Sequence, residues 1–130
     1  MNRIWVNGCF DVLHVGHIRL FEYARTLGDE LVVGIDSDRR VKELKGKDRP
    51  VNTEEDRKEM LMSIQFIDSV VIFDTEEELI DNIKTLKPKL MVVGEDYRFK
   101  NVVGEEFSEG VAFVKRVEGY STTNILDRNI

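Results

Sequence analysis

The run Leu31-Val32-Val33-Gly34-Ile35 is continuously apolar and bounded by charge on both sides, the pattern of a strand covered on both faces. Such a strand needs helices above and below its sheet, and the chain supplies them in alternation. Ile4-Trp5-Val6 forms a first apolar block that ends at Asn7-Gly8. From His17 onward Leu20, Phe21, Ala24 and Leu27 recur at helical spacing as far as Gly28, where a glycine at positive φ is expected to terminate the helix. Asp36-Ser37-Asp38 then offers caps for a short helix over Arg39 to Leu44. Asn52 with Glu55 three residues on resembles a capping box before a helix whose apolar stripe is Met60, Leu61 and Ile64. Val70 to Phe73 reads as a third strand, and Leu79, Ile80, Ile83 and Leu86 mark a helix ended by Pro88. Leu90 to Val93 and Val111 to Val114 read as the fourth and fifth strands, and Thr122 to Ile130 as a last helix. Trp5, Phe21, Met60 and Leu61 are expected in the core. Parallel neighbours need crossovers, so this alternation predicts an α/β fold with a doubly wound, five-stranded parallel sheet in a single domain over residues 1–130.

Composition narrows the partners. With 25 acidic and 19 basic side chains the net charge is −6, which disfavours nonspecific binding to nucleic acid or to an anionic membrane. No apolar run approaches the roughly 18 residues that span a bilayer, and Met1 to Trp5 lack the apolar core of a secretory signal. The expectation is a cytoplasmic protein that handles a small ligand, with neither a nucleic-acid nor a membrane partner. Cys9 is the one cysteine, so no internal disulfide is available, and it has no zinc-site spacing around it. No protein-built metal site is expected.

In doubly wound sheets ligands bind beyond the carboxyl ends of the strands, where the strand order reverses. Gly8-Cys9-Phe10-Asp11-Val12-Leu13-His14-Val15-Gly16-His17 occupies that position, between the first strand and the first helix. Both histidines of the chain fall within it, where spare backbone N–H groups and the helix dipole favour an anion. Either histidine alone reads as an ordinary loop or helix-terminal residue; together with Asp11, Gly8 and Gly16 they read as a phosphate site. The basic run Lys42, Lys45, Lys47 and Arg49 is, on composition, a solvated surface, and Arg57 has Glu54 and Asp56 beside it as pairing partners. Arg116 to Thr123 opens the last helix, where Ser121 or Thr122 would cap and also offer donors to phosphates. Cys9, beside the phosphate site, is not expected to act as a nucleophile.

Gly8 to His17 resembles the HxGH signature of the cytidylyltransferase-like nucleotidyltransferase superfamily. The resemblance continues through Asp36-Ser37-Asp38, Leu44-Lys45-Gly46, Arg49-Pro50-Val51-Asn52, Arg57, Gly94 to Tyr97 and Glu118 to Thr123, nearly the whole chain. It implies a Rossmann-like fold and an enzyme that transfers a nucleoside monophosphate from an NTP, ATP or CTP, to a phosphorylated small molecule with release of pyrophosphate. His14 and His17 would bind the triphosphate and stabilise the transition state, and Lys45 would bridge the attacking phosphate and the α-phosphate. The phosphorylated substrate would also meet Lys42, Asp38 and Arg57. The nucleotide would be held by Gly8, Cys9, Phe10, Asp11 and Gly16, with Gly94, Asp96 and Tyr97 near base and ribose. Arg116, Glu118, Gly119, Tyr120, Ser121, Thr122 and Thr123 would complete its site. Mg²⁺ would be held mainly by the NTP phosphates, and a homodimer is expected by analogy. Leu44-Lys45-Gly46, Arg49 to Asn52 and Glu118 to Asn124 resemble heptose-phosphate adenylyltransferases, whereas Val92 to Tyr97 and Arg116 approach the glycerol-3-phosphate cytidylyltransferases. A sugar-phosphate (heptose-1-phosphate-like) adenylyltransferase is the leading expectation. A glycerol-3-phosphate-type cytidylyltransferase and a non-catalytic nucleotide-binding regulatory module are its alternatives.

Overall fold

A computed structural model describes residues 1–115. The order of elements is β1 (Arg3–Gly8), α1 (Val15–Thr26), β2 (Glu30–Asp36), α2 (Asp38–Lys45), α3 (Glu54–Met62), β3 (Ser69–Phe73), α4 (Glu76–Leu86), β4 (Leu90–Gly94) and β5 (Val111–Val114). Two short 3₁₀ turns, Glu95–Tyr97 and Glu105–Phe107, connect β4 to β5. The five strands form one parallel sheet in the order β3-β2-β1-β4-β5. This is the expected doubly wound, Rossmann-like α/β architecture. The order reverses between β1 and β4, so the crevice opens above the carboxyl end of β1.

Alternation along the strands divides the core between the two faces of the sheet. Ile4 and Val6 of β1, with Leu31, Val33 and Ile35 of β2, pack with Phe21 and Ala24 of α1 and Leu61 of α3. Trp5 and Val32 turn the other way and pack with Phe73 of β3, Leu79 and Ile83 of α4, and Met91 of β4. Trp5 is buried as expected, and its indole N–H donates to Asn7 Oδ1 at 2.9 Å. Among the described residues no helix is long and apolar enough to cross a membrane.

Several local expectations are corrected by long-range contacts. Gly28 does not adopt positive φ. α1 ends at Thr26 with Leu27 as a right-handed cap, and glycine is required at 28 because a Cβ there would lie 2.5 Å from the Asn2 carbonyl oxygen. The cap of α3 is Thr53, whose hydroxyl accepts from the Asp56 N–H, rather than Asn52. Asn52 is drawn away because its amide donates to the Asp11 carbonyl. Met60 is 37% exposed whereas its neighbour Leu61 is fully buried, so only one of the two belongs to the core. The expected final helix, Thr122 to Ile130, lies outside the described residues.

Gly34 sits mid-strand because the Trp5 ring lies over it: a Cβ at this position would come within 2.5 Å of Cζ2 and 2.6 Å of Cη2. Trp5 is enclosed and cannot withdraw without disturbing the face shared with Phe73 and Met91. Gly34→Ala is therefore expected to destabilise the protein by about 1–3 kcal/mol. Urea unfolding read by tryptophan fluorescence checks this, with an unchanged midpoint counting against the packing account.

Candidate active site

The β1–α1 loop is shaped by its own side chains. Phe10 has φ of 50°, a left-handed backbone uncommon outside glycine. The conformation sends its ring into the core, edge-on to His17 at 5.3 Å and to Phe21 at 5.2 Å between centroids. His17 thus rests on an apolar wedge.

His14 is the N-cap of α1, and its Nδ1 accepts the Gly16 N–H at 3.1 Å. His17 Nδ1 accepts the His14 N–H at 3.3 Å, completing a reciprocal cap in which the rings stack with centroids 3.8 Å apart. An imidazole nitrogen that accepts cannot carry the proton, so in each neutral ring the hydrogen resides on Nε2. The cap fixes the orientation of both rings at a positive helix end.

Two buried charges tie this loop to the segment between α2 and α3. The Asp11 carboxylate is 1% exposed and accepts from Arg49 Nε at 2.7 Å and from the N–H groups of Val51 and Asn52 at 2.8–2.9 Å. Burial works to raise its pKa, but the Asn52 and Val51 N–H groups and Arg49 outweigh it and hold the carboxyl below its ordinary range. Arg57 is wholly buried, donating to the carbonyls of Asn52, Cys9 and Asp36 and to Asp38 Oδ1 at 2.7–3.0 Å. It braces the ends of β1 and β2 against the start of α3.

A cleft of about 740 Å³ lies over the β1–β4 switch point. Its walls bring together Gly8, Cys9, Phe10, Asp11, His14, Gly16 and His17 from the first loop, Lys45 from the end of α2, and Gly94, Asp96 and Tyr97 after β4. These are expected site residues from three separate stretches. The expected contacts of Lys42, Asp38 and Arg57 with a phosphorylated substrate are not supported, since none of the three lines the cleft. Arg57 is consumed by four internal acceptors, Asp38 pairs with it, and Lys42 is exposed on α2 outside the cleft wall. Arg116, Glu118, Gly119, Tyr120, Ser121, Thr122 and Thr123 lie outside the described residues.

The cleft also contains Arg19, Arg49 and Lys115, which the sequence reading did not place there. Arg49 was visible as a member of a basic run and of the Arg49-Pro50-Val51-Asn52 resemblance, but its partner Asp11 is 38 residues away. Burial raises the pKa of the Cys9 thiol, against the opposing charges of Lys45 and Arg57, so the thiol is protonated at neutral pH. Among the described residues no group of three His, Cys, Asp or Glu side chains is placed to hold a metal ion.

An imidazole pair on a helix N-terminus, above the switch point of a doubly wound sheet and faced by cations, is an arrangement suited to an anion, in an α/β fold of the nucleotide-handling class. The profile of the cytidylyltransferase-like family matches residues 5–128, and the chain belongs to that family. It is 53% identical over 125 residues to the bifunctional protein HldE of Campylobacter fetus subsp. fetus, covering 96% of this chain and 27% of that one. HldE of Nitratiruptor sp. is 48% identical over 127 residues, again covering 96% of this chain and 27% of the relative. This chain spans about a quarter of the length of these relatives. Among solved structures, a lipopolysaccharide core biosynthesis protein from Thermoplasma volcanium superposes with a TM-score of 0.73 at 24% identity, covering 90% of this chain and 99% of that one. A protein of unknown function from Archaeoglobus fulgidus gives 0.70 at 17% identity, covering 92% and 93%. Both share the fold.

Asp11 makes the loop sensitive to acid. Because its folded pKa is depressed, its stabilisation is fully present above the unfolded value of about 3.9 and is lost as pH falls through the lower folded value. Asp11→Asn is expected to cost about 1–3 kcal/mol at pH 7, since a carboxamide cannot accept from all these donors. The gap from wild type should narrow below about pH 4. Urea titrations at pH 7 and in the acid range test this; a gap independent of pH would remove the carboxylate from the account.

Proposed function

We propose that the cleft transfers a nucleoside monophosphate from an NTP to the phosphate of a small sugar phosphate of the heptose-1-phosphate type, with release of pyrophosphate. The observation that carries the reading is the imidazole pair stacked at the N-terminus of α1 and held by its Nδ1 caps, in one cleft with Lys45 and Arg49. Family membership supports the reaction class. The HldE relatives support the heptose-phosphate adenylyltransferase side of the resemblance, and hence ATP, over the glycerol-3-phosphate side. Pairing as a homodimer and a cytoplasmic setting belong to the same reading.

The chemistry asks little covalent work of the protein. An acceptor phosphate is already anionic at neutral pH, its second pKa being about 6. One of its oxygens attacks the α-phosphorus in line; the new P–O bond forms as the bond to the β-phosphate bridging oxygen breaks, and pyrophosphate leaves with the electron pair. The barrier lies in bringing two polyanions together and in charge that grows on the transferring group. His14 and His17 answer the second need with oriented N–H donors, and Lys45 answers the first at the cleft wall. Mg²⁺ would be carried on the triphosphate and would neutralise phosphate charge; besides the engaged Asp11, Asp96 is the carboxylate of the described cleft wall.

Purified protein incubated with Mg²⁺, each NTP in turn and a panel of sugar and polyol phosphates tests the reaction. Pyrophosphate release is expected with ATP and a sugar 1-phosphate; release with no pair would favour a binding module without turnover. His14→Asn separates capping from chemistry, because asparagine is an equally good N-cap. It is expected to keep stability within about 1 kcal/mol of wild type while kcat falls by about 10²–10³. Unchanged kcat would confine His14 to capping.

A further inference from the structure

Arg49 is a cleft residue whose hydrogen bonding the protein leaves incomplete. Its Nε donates to Asp11 Oδ2 at 2.7 Å, and the same carboxylate accepts Val51 N–H on both oxygens and Asn52 N–H on Oδ1. Four contacts fill the roughly four lone-pair positions of a carboxylate. Asp11 therefore has no capacity for a second bond from Arg49, and Nη2, shielded from solvent, has no hydrogen-bond partner. Leaving donors of a charged group unmet is costly, and a native protein that does so needs a reason.

The place of Arg49 suggests the reason. The segment between α2 and α3 follows β2, whereas Asp96 and Tyr97 follow β4, and β2 and β4 flank β1 on opposite sides. Arg49 and Lys45 thus line the side of the cleft away from Asp96 and Tyr97, with the β1–α1 loop and its histidines between them. We propose that Arg49 binds the phosphate of the acceptor substrate: Asp11 fixes the guanidinium by its Nε, and a swing of the Nη end about that bond, uncovering Nη2, brings its hydrogens to the phosphate oxygens. The naming of that anion as the acceptor rests on the nucleotidyltransfer reading; the phosphate site itself does not. A guanidinium held at one edge orients a phosphate as a fork, while the Lys45 ammonium supplies a mobile point charge beside it. Arg49 is in this sense a specificity residue for the attacking group, and its pairing with Asp11 is what keeps it aimed.

The test is equilibrium binding of inorganic phosphate by titration calorimetry, in the full chain, with the cleft either empty or saturated with the unreactive analogue α,β-methylene-ATP. Wild type is compared with Arg49→Lys and Arg49→Met. In the Met variant phosphate binding should weaken by more than about tenfold, and in the Lys variant by about three- to tenfold, because charge survives but the fork does not. Affinity for the analogue should fall by less than affinity for phosphate in both, because the Val51 and Asn52 N–H groups still hold Asp11. Undiminished phosphate binding by a folded Met variant overturns the proposal, and so does a loss of analogue affinity as large as the loss for phosphate. Should both variants fail to fold, arginine side-chain NMR of the wild type decides: Nη resonances of Arg49 that shift and saturate with phosphate support the site, and unmoved ones refute it. Failure of the wild type to bind the analogue refutes the nucleotidyltransferase reading instead, and the titration of the empty cleft still judges Arg49.

Discussion

The Asp11 carboxylate, almost wholly excluded from water, accepts hydrogen bonds from three residues of a distant loop and thereby holds two loops in one arrangement. A strand-to-helix loop of this kind has few backbone bonds of its own, and the Asn52 amide returns a bond to the Asp11 carbonyl so that the two segments clasp. Arg57 closes the same junction from beneath by gathering the Cys9, Asp36 and Asn52 carbonyls. Buried ion pairs of this sort are weak evidence for net stability, because desolvation offsets attraction. Their clearer consequence is geometric. The donors and acceptors can all be met only when the β1–α1 loop, the end of β2 and the segment before α3 stand in one relation.

That relation is what the proposed chemistry needs. Transfer between two polyanions depends on donors oriented before the substrates arrive, so that reorganisation is complete when charge begins to move. The imidazoles meet this condition twice over. Each has its Nδ1 fixed by a backbone N–H, and His17 is further supported edge-on by Phe10. Phe10 keeps a left-handed backbone to reach that position, a local cost of the kind that persists where surrounding contacts over-determine it.

What could be read from the sequence divides by contact range. The doubly wound sheet was legible because each strand and helix carries its own apolar period, as in Leu31 to Ile35 or in Phe21 and Ala24. The imidazole pair was legible because strand end, histidines and helix start lie within ten residues, and position in an α/β sheet does the rest. Arg57 was misread because its neighbours in sequence, Glu54 and Asp56, are not its partners; those it uses lie 5, 19, 21 and 48 residues away. Asn52 looked like a cap on local spacing and lost that role to Thr53 once Asp11 claimed its amide. Gly28 looked like a turn residue, while its requirement comes from the Asn2 carbonyl opposite. In each case a contact invisible to periodicity overrode a sound local signal.

Chains only 17% and 24% identical to this one share its fold, and a fold does not by itself specify a substrate. In the proposed reaction, choice of acceptor resides in the cleft walls. The first loop is committed to the imidazole pair, and its one carboxylate is fully engaged internally. The segment from Lys45 to Asn52 is different: Arg49, Val51 and Asn52 are clamped to Asp11, while Gly46, Lys47 and Asp48 are exposed, with open space around the Gly46 α-carbon. One end of this wall is fixed by its hydrogen bonds to Asp11 and the other is open to change. In the proposed reaction the open turn could vary with whatever the acceptor phosphate is attached to, without disturbing the clasp of Arg49, Val51 and Asn52 on Asp11.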